Sequence, residues 1–254
     1  MKKYMYYFLL LSITISFSIV ACDKDDDDNP TVISAVDEVQ SAMDEFRNLL
    51  GANNGNVAGS QTSGRREINW DGVPDSLSAP YNFPGKFFNQ SPATRGIEFT
   101  TPGTALNVSA DLNNPTATLS SFGNINPTYT DIFPPFSGER IFSPVGSNIA
   151  DIRFYIPGTE DPGVVQGFGA VYIDVDREEN AAFEFFDINE NSLGVYATGI
   201  LNEGHAFLAV LFDHPVIHHI RIEYGNSSLG PDDGGSIDVS VMDDFIFAEP
   251  QEPN

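Results

Sequence analysis

Cysteine occurs once in these 254 residues, at Cys22. An internal disulfide is therefore impossible, although exported proteins often carry them. Basic residues are scarce too: 12 Lys and Arg stand against 36 Asp and Glu, a formal net charge of −24. Such a surface repels DNA, RNA and anionic lipid headgroups and attracts cations, which excludes nucleic-acid binding. The apolar run at residues 8–20 is too short for a comfortable transmembrane helix, which needs about 20 apolar residues. No G-x-S-x-G nucleophile elbow occurs, and no repeat of solenoid period.

What stands at the start is an export signal. Lys2 and Lys3 precede the apolar run, and small Ala21 precedes Cys22, the layout of a secretory signal peptide over residues 1–21. Ile19-Val20-Ala21-Cys22 resembles a bacterial lipobox, with Ile19 where Leu is usual. The resemblance implies a diacylglycerol on the Cys22 thiol, removal of the leader and an acylated new amino terminus. Several acyl chains together give stable anchoring. The acidic run Asp23-Lys24-Asp25-Asp26-Asp27-Asp28 stays solvated and makes residues 22–31 a tether. It also resembles the export signal of surface lipoproteins of the Bacteroidetes, which implies the outer face of the outer membrane. In enterobacterial lipoproteins Asp after the cysteine favours inner-membrane retention instead. Without residues 1–21 the chain keeps 233 residues and ten basic side chains against 36 acidic, a net charge near −26.

Asn29-Pro30 can open a helix, and Ile33, Val36, Val39, Met43, Phe46 and Leu50 recur every three or four residues. This spacing predicts one amphipathic helix over 32–50, stopped by Gly51 and followed by a flexible link over 51–64. From Arg65 the pattern is β. Ile152, Phe154 and Ile156 alternate with polar neighbours, and strands are expected at 164–175, 183–186, 193–197, 206–212, 216–224 and 237–247. Gly167 and Gly169 suggest a bend or bulge. Short strands at turn-punctuated spacing predict an all-β fold, a jelly-roll β-sandwich over 65–248 with a tail at 249–254.

The segment Gly64-Arg65-Arg66-Glu67-Ile68-Asn69-Trp70-Asp71-Gly72-Val73-Pro74 resembles the opening motif of an uncharacterised family of secreted bacterial proteins. Phe122-Gly123-Asn124-Ile125-Asn126-Pro127, Gly167-Phe168-Gly169-Ala170-Val171 and Met242-Asp243-Asp244-Phe245 extend the likeness across about 64–248. That family implies no activity. The second half is also similar in layout to concanavalin-like and carbohydrate-binding jelly rolls. Glycosidases of the concanavalin-like kind share an E-x-D-x-E strand motif, which is absent here.

Carboxylates drawn from separate strands repel one another unless a cation lies between them, and Ca²⁺ takes six to eight oxygens. One structural Ca²⁺ site is therefore expected from Asp71, Asp174 or Asp176, and Asp243 or Asp244; otherwise these aspartates are solvated or cap backbone amides. Asp187 to Asn191 lacks the spacing of an EF-hand. His214, His218 and His219 suggest zinc only superficially, because on a strand His218 and His219 point to opposite sides. Glu184, Asp187 and Glu190 read as a solvated hairpin. Trp70, Tyr81, Phe83, Phe87, Phe88, Tyr129, Phe133 and Phe136 lie in Pro- and Gly-rich segments, where exposed rings could stack on sugars or else plug a second core. Trp70 and Tyr129 are the preferred ligand-binding candidates. The expected function is a non-catalytic extracellular binding module for glycan, held at the membrane by lipid. A structural or adhesive protein with a protein partner is the alternative, and a carboxylate-based glycan-active enzyme a third.

Overall fold

The computed structural model describes residues 29–178 and 180–253. The expected signal peptide, the lipidation site Cys22 and the acidic run 23–28 lie outside the described residues. Within them, β1 (Thr31–Val36) and α1 (Gln40–Leu50) lead to β2 (Arg65–Ile68), β3 (Ile97–Thr100) and β4 (Ala105–Val108). A one-turn helix, α2 (Tyr129–Ile132), precedes β5 (Phe142–Val145), β6 (Ile149–Phe154), β7 (Gly167–Val175) and β8 (Ala182–Phe186). The chain closes with β9 (Ser192–Ala197), β10 (Leu201–Leu211), β11 (His219–Glu223) and β12 (Val241–Ala248). No helix among the described residues is long and apolar enough to cross a membrane.

Two antiparallel sheets pack as a sandwich, so the all-β expectation holds. One has the order β1-β10-β7-β12-β5-β4, with β2 also on β12; the other is β3-β6-β11-β8-β9. Taken alone, β5 to β12 form a jelly roll, 5-12-7-10 against 6-11-8-9, and the earlier strands extend its edges. β7 and β12 are buried along their whole length, because both of their faces are covered. One face meets the other sheet through Phe154, Phe168, Phe183, Phe245 and Phe247. The other lies under the long loops, where Ile173 and Val241 pack with Phe122, Tyr129 and Phe133. Each such ring buried contributes about 1.5–3 kcal/mol.

Four expectations need correction. The helix over 32–50 is a strand followed by a shorter helix: Thr31, Val32, Ile33 and Val36 are β-branched and pair with the edge of β10, where such side chains fit best. Asp37, at φ 74, turns the chain into α1, whose buried face is Met43, Phe46 and Leu50. Residues 51–64 are not a free link, and residues 249–253 of the expected tail at 249–254 are not loose. Both are drawn in by Arg66, which is 0% exposed and carries the fully buried pair to Glu249 at 2.6 Å. Its remaining N–H groups donate to the carbonyls of Gly55, Val57, Gly59 and Thr94, and Gln251 pairs with Val164. Gly169 makes no bulge either. It sits in register opposite Ala209, and a Cβ there would lie 2.5 Å from the Ala209 Cβ. The register shifts beside β7 fall in its two partners, in β12 between Asp243 and Phe245 and in β10 between Leu201 and His205.

Candidate metal centre

Asp174 lies near the end of β7 with φ 62, a left-handed conformation costly for a residue with a Cβ. Opposite it, β10 bulges between Leu201 and His205, and the Asp174 Oδ1 accepts the Glu203 N–H at 2.7 Å. On the other flank Val241 of β12 pairs with Ile173, so the loop entering β12 runs beside Asp174. That loop is held by one of its own carboxylates and by a backbone carbonyl. Asp233 Oδ1 accepts the Val239 N–H at 2.8 Å, and the Asp238 carbonyl accepts the N–H groups of Asn226 and Ser227.

Asp174, Asp176 and Asp233 each bring one carboxylate oxygen to a single point, all within 4.8 Å of one another. Asp238 adjoins them, its Oδ1 accepting the Asp176 N–H at 3.4 Å. Burial, then the charges of Asp233, Asp176 and Asp238, push the Asp174 carboxyl up to about 7. Burial, then the charge of Asp176, pushes Asp233 up to about 6, and burial also raises Asp238. The guanidinium of Arg177, next to Asp176 in sequence, donates to the Gly235 carbonyl at 3.1 Å.

These shifts fix a sign for pH dependence in chelator. A carboxyl whose folded pKa lies above its unfolded value of 3.8 stabilises the fold fully below that value. The contribution is lost as pH rises through about 6 and 7, because the folded chain then holds protons that the unfolded chain has released. In EDTA, wild type is therefore expected to lose about 2 kcal/mol between pH 5 and 7.5, with neighbouring solvent screening the fuller effect. Asp174→Asn is expected to flatten this slope, and the wild-type-minus-variant difference in urea cancels the opposing contribution of His218, whose pKa burial lowers. An identical slope in both proteins would refute the assignment.

The single site expected from the sequence is divided in space. Asp71, Asp243 and Asp244 are not brought to Asp174 and Asp176; they clamp the loop at 136–140. Asp243 Oδ2 accepts the N–H groups of Phe136 and Ser137 at 2.9 and 3.0 Å. Asp244 Oδ1 accepts the Ser137 hydroxyl, and Asp71 Oδ1 accepts the Glu139 and Arg140 N–H groups. Gly138 is obligatory there, since a Cβ would lie 2.0 Å from the Asp71 carboxylate. Burial and the charge of Asp244 hold Asp243 well above the usual carboxylate range.

Both preferred ligand-binding aromatics are interior. Trp70 is 1% exposed and stacks on Phe142 with ring centroids 4.2 Å apart, edged by Phe83, Phe88 and Phe245. Tyr129 is 0% exposed; its hydroxyl donates to the Pro231 carbonyl and accepts the Gly230 N–H. A ring enclosed in this way has no face for a sugar. Phe83, Phe88 and Phe133 are buried as well, and Phe136 rests against His205. Of the expected aromatics only Tyr81 is exposed.

The histidines diverge. His218 Nδ1 bonds the Gly163 carbonyl, whereas His219 bonds Glu190 and Asp151 through its two ring nitrogens. Asp187 accepts the N–H groups of Asn189 and Asn191 and so closes the β8–β9 turn. No family model, curated protein or solved structure matches the chain. Its chemistry therefore rests on these residues alone. The members that sequence reasoning missed, Asp233 and Asp238, stand in Gly230-Pro231-Asp232-Asp233-Gly234-Gly235-Ser236-Ile237-Asp238, a stretch whose composition signals only a turn. Pairing β7 with β12 would have found them, because that pairing carries the loop before β12 to the end of β7.

Proposed function

We propose that the chain is a lipoprotein held by lipid on Cys22 at the outer face of the outer membrane, and that its jelly roll is a non-catalytic extracellular binding module for glycan. The observation that supports this is strand polarity. β1, which follows the tether, starts opposite Leu211 of β10, and Leu211 lies opposite Gly167 at the start of β7. The tether thus joins one pole of the sandwich, while β7 ends at the other with Asp174, Asp176 and Asp233. The second pole points away from the membrane and presents a surface rich in hydrogen-bond acceptors. Carboxylates and loop carbonyls accept hydrogen bonds from sugar hydroxyls, and the acidic field disfavours polyanions. Neutral glycans are the class that fits.

The full-length lipoprotein in detergent, applied to a glycan array, is expected to bind neutral in preference to sulfated or sialylated sugars. Asp176→Asn is expected to reduce that binding. No binding by folded protein would sink this reading and favour a second one, a structural or adhesive protein with a protein partner. One observation favours that alternative: β9 is a free sheet edge on which Val195 is 64% exposed, and unpaired edges accept a further strand.

A further inference from the structure

We propose that Asp174, Asp176 and Asp233 bind one calcium ion, with Asp238 beside them as a fourth carboxylate. This inference stands on the cluster alone and does not need the glycan reading. Two independent observations carry it. The first is convergence: carboxylate oxygens from the end of β7 and from the loop before β12, far apart in sequence, lie within 4.8 Å of one another, close enough to share one cation. The second is an absence of donors. Asp174 Oδ2 is buried without a hydrogen-bond partner among the described residues, in a residue 1% exposed. Buried carboxylate oxygens are otherwise met by an N–H, an O–H or a cation. Asp174 belongs to the cluster, so a cation held there meets its orphan oxygen, and Asp238 is held beside the cluster by the Asp176 N–H.

The donor set selects the ion. All the ligands are hard carboxylate oxygens, and none is a histidine nitrogen or a cysteine sulfur, which disfavours zinc. Irregular loops suit calcium, which tolerates six to eight oxygens in flexible geometry, better than magnesium, which demands a near-ideal octahedron and keeps its water. Once bound, the ion joins the turn after β7 to the loop before β12 and removes the repulsion among their carboxylates.

The test is calcium titration of full-length lipoprotein purified in detergent, stripped with EDTA and followed by equilibrium dialysis and thermal unfolding. One saturable site is expected, with a Kd of about 0.1–1 mM as in other extracellular calcium modules. At a hundredfold excess over Kd the Tm should rise by about 5–10 °C. Magnesium at the same concentration should give less than half that rise. Asp176→Asn and Asp233→Asn, both half-exposed and compatible with folding, should each weaken binding at least tenfold. Asp213→Asn, exposed near the opposite pole, should leave binding unchanged. The acidic run after Cys22 is common to all four proteins, so weak binding there cancels. Folded Asp176→Asn and Asp233→Asn proteins that bind calcium like wild type, or a wild type with no saturable site, would overturn the proposal. Loss of calcium binding with glycan binding retained would separate this inference from the preceding one.

Discussion

Arg66→Met is expected to destabilise the chain by about 3–5 kcal/mol, the cost of leaving a buried charge without its partner, and to lower Tm by about 10 °C or more. The guanidinium is 0% exposed and forks onto Glu249 with two bonds, at 2.8 and 2.6 Å. Its other donors gather four backbone carbonyls from residues 55–59 and 94. Glu249→Leu should cost a comparable amount. The double variant Arg66→Met/Glu249→Leu should recover only part of the loss, because it removes both charges but leaves those carbonyls without donors. Urea unfolding of the three proteins measures this. Full recovery in the double variant would mean that the ion pair alone matters, and a single-variant loss under 1 kcal/mol would mean that the pair is not formed.

Trp70→Ala should cost about 3–5 kcal/mol, the usual range for emptying an aromatic core position. Trp70→Phe should cost far less, since Phe retains a ring to stack on Phe142 and removes an indole N–H that has no acceptor among the described residues. Trp70 is the only tryptophan, so fluorescence reads its surroundings directly. Its emission should be blue-shifted, resistant to acrylamide and unchanged by added sugars. Solvent-like emission with ready quenching would place the ring on the surface and restore it as a ligand platform.

These two residues and Asp71 account for the most recognisable stretch of the sequence, residues 64–74. Arg66 ties the ends of the domain together, Trp70 fills the core and Asp71 clamps the loop at 136–140. The stretch marks architecture, and residue type alone could not reveal that. An exposed tryptophan and a buried one have the same neighbours in sequence here, and only the approach of Phe142 and Phe245 decides between them.

The sandwich was legible because half-buried strands alternate: Ala150, Ile152 and Phe154 of β6 are buried, with Ile149, Asp151 and Arg153 between them partly exposed. β1 was not legible. Ile33, Val36 and Val39 happen to keep a helical spacing into α1, and only the vacant edge of β10 makes 31–36 a strand. The acidic cluster was half legible. Asp174 and Asp176 stood out as charges in an apolar strand, but their partner lies nearly 60 positions away, across a sheet pairing that no local pattern records.

The edge position of β1 also bears on mechanics. A load between the distal loops and a lipid on Cys22 would run along the strands, not across them. The six residue pairs from Thr31↔Leu211 to Val36↔Ala206 would then be sheared together instead of being unzipped one at a time. A tether attached at the other end of β1 would peel the strand away. Entering where it does, the chain would load its outermost strand in shear along its whole length.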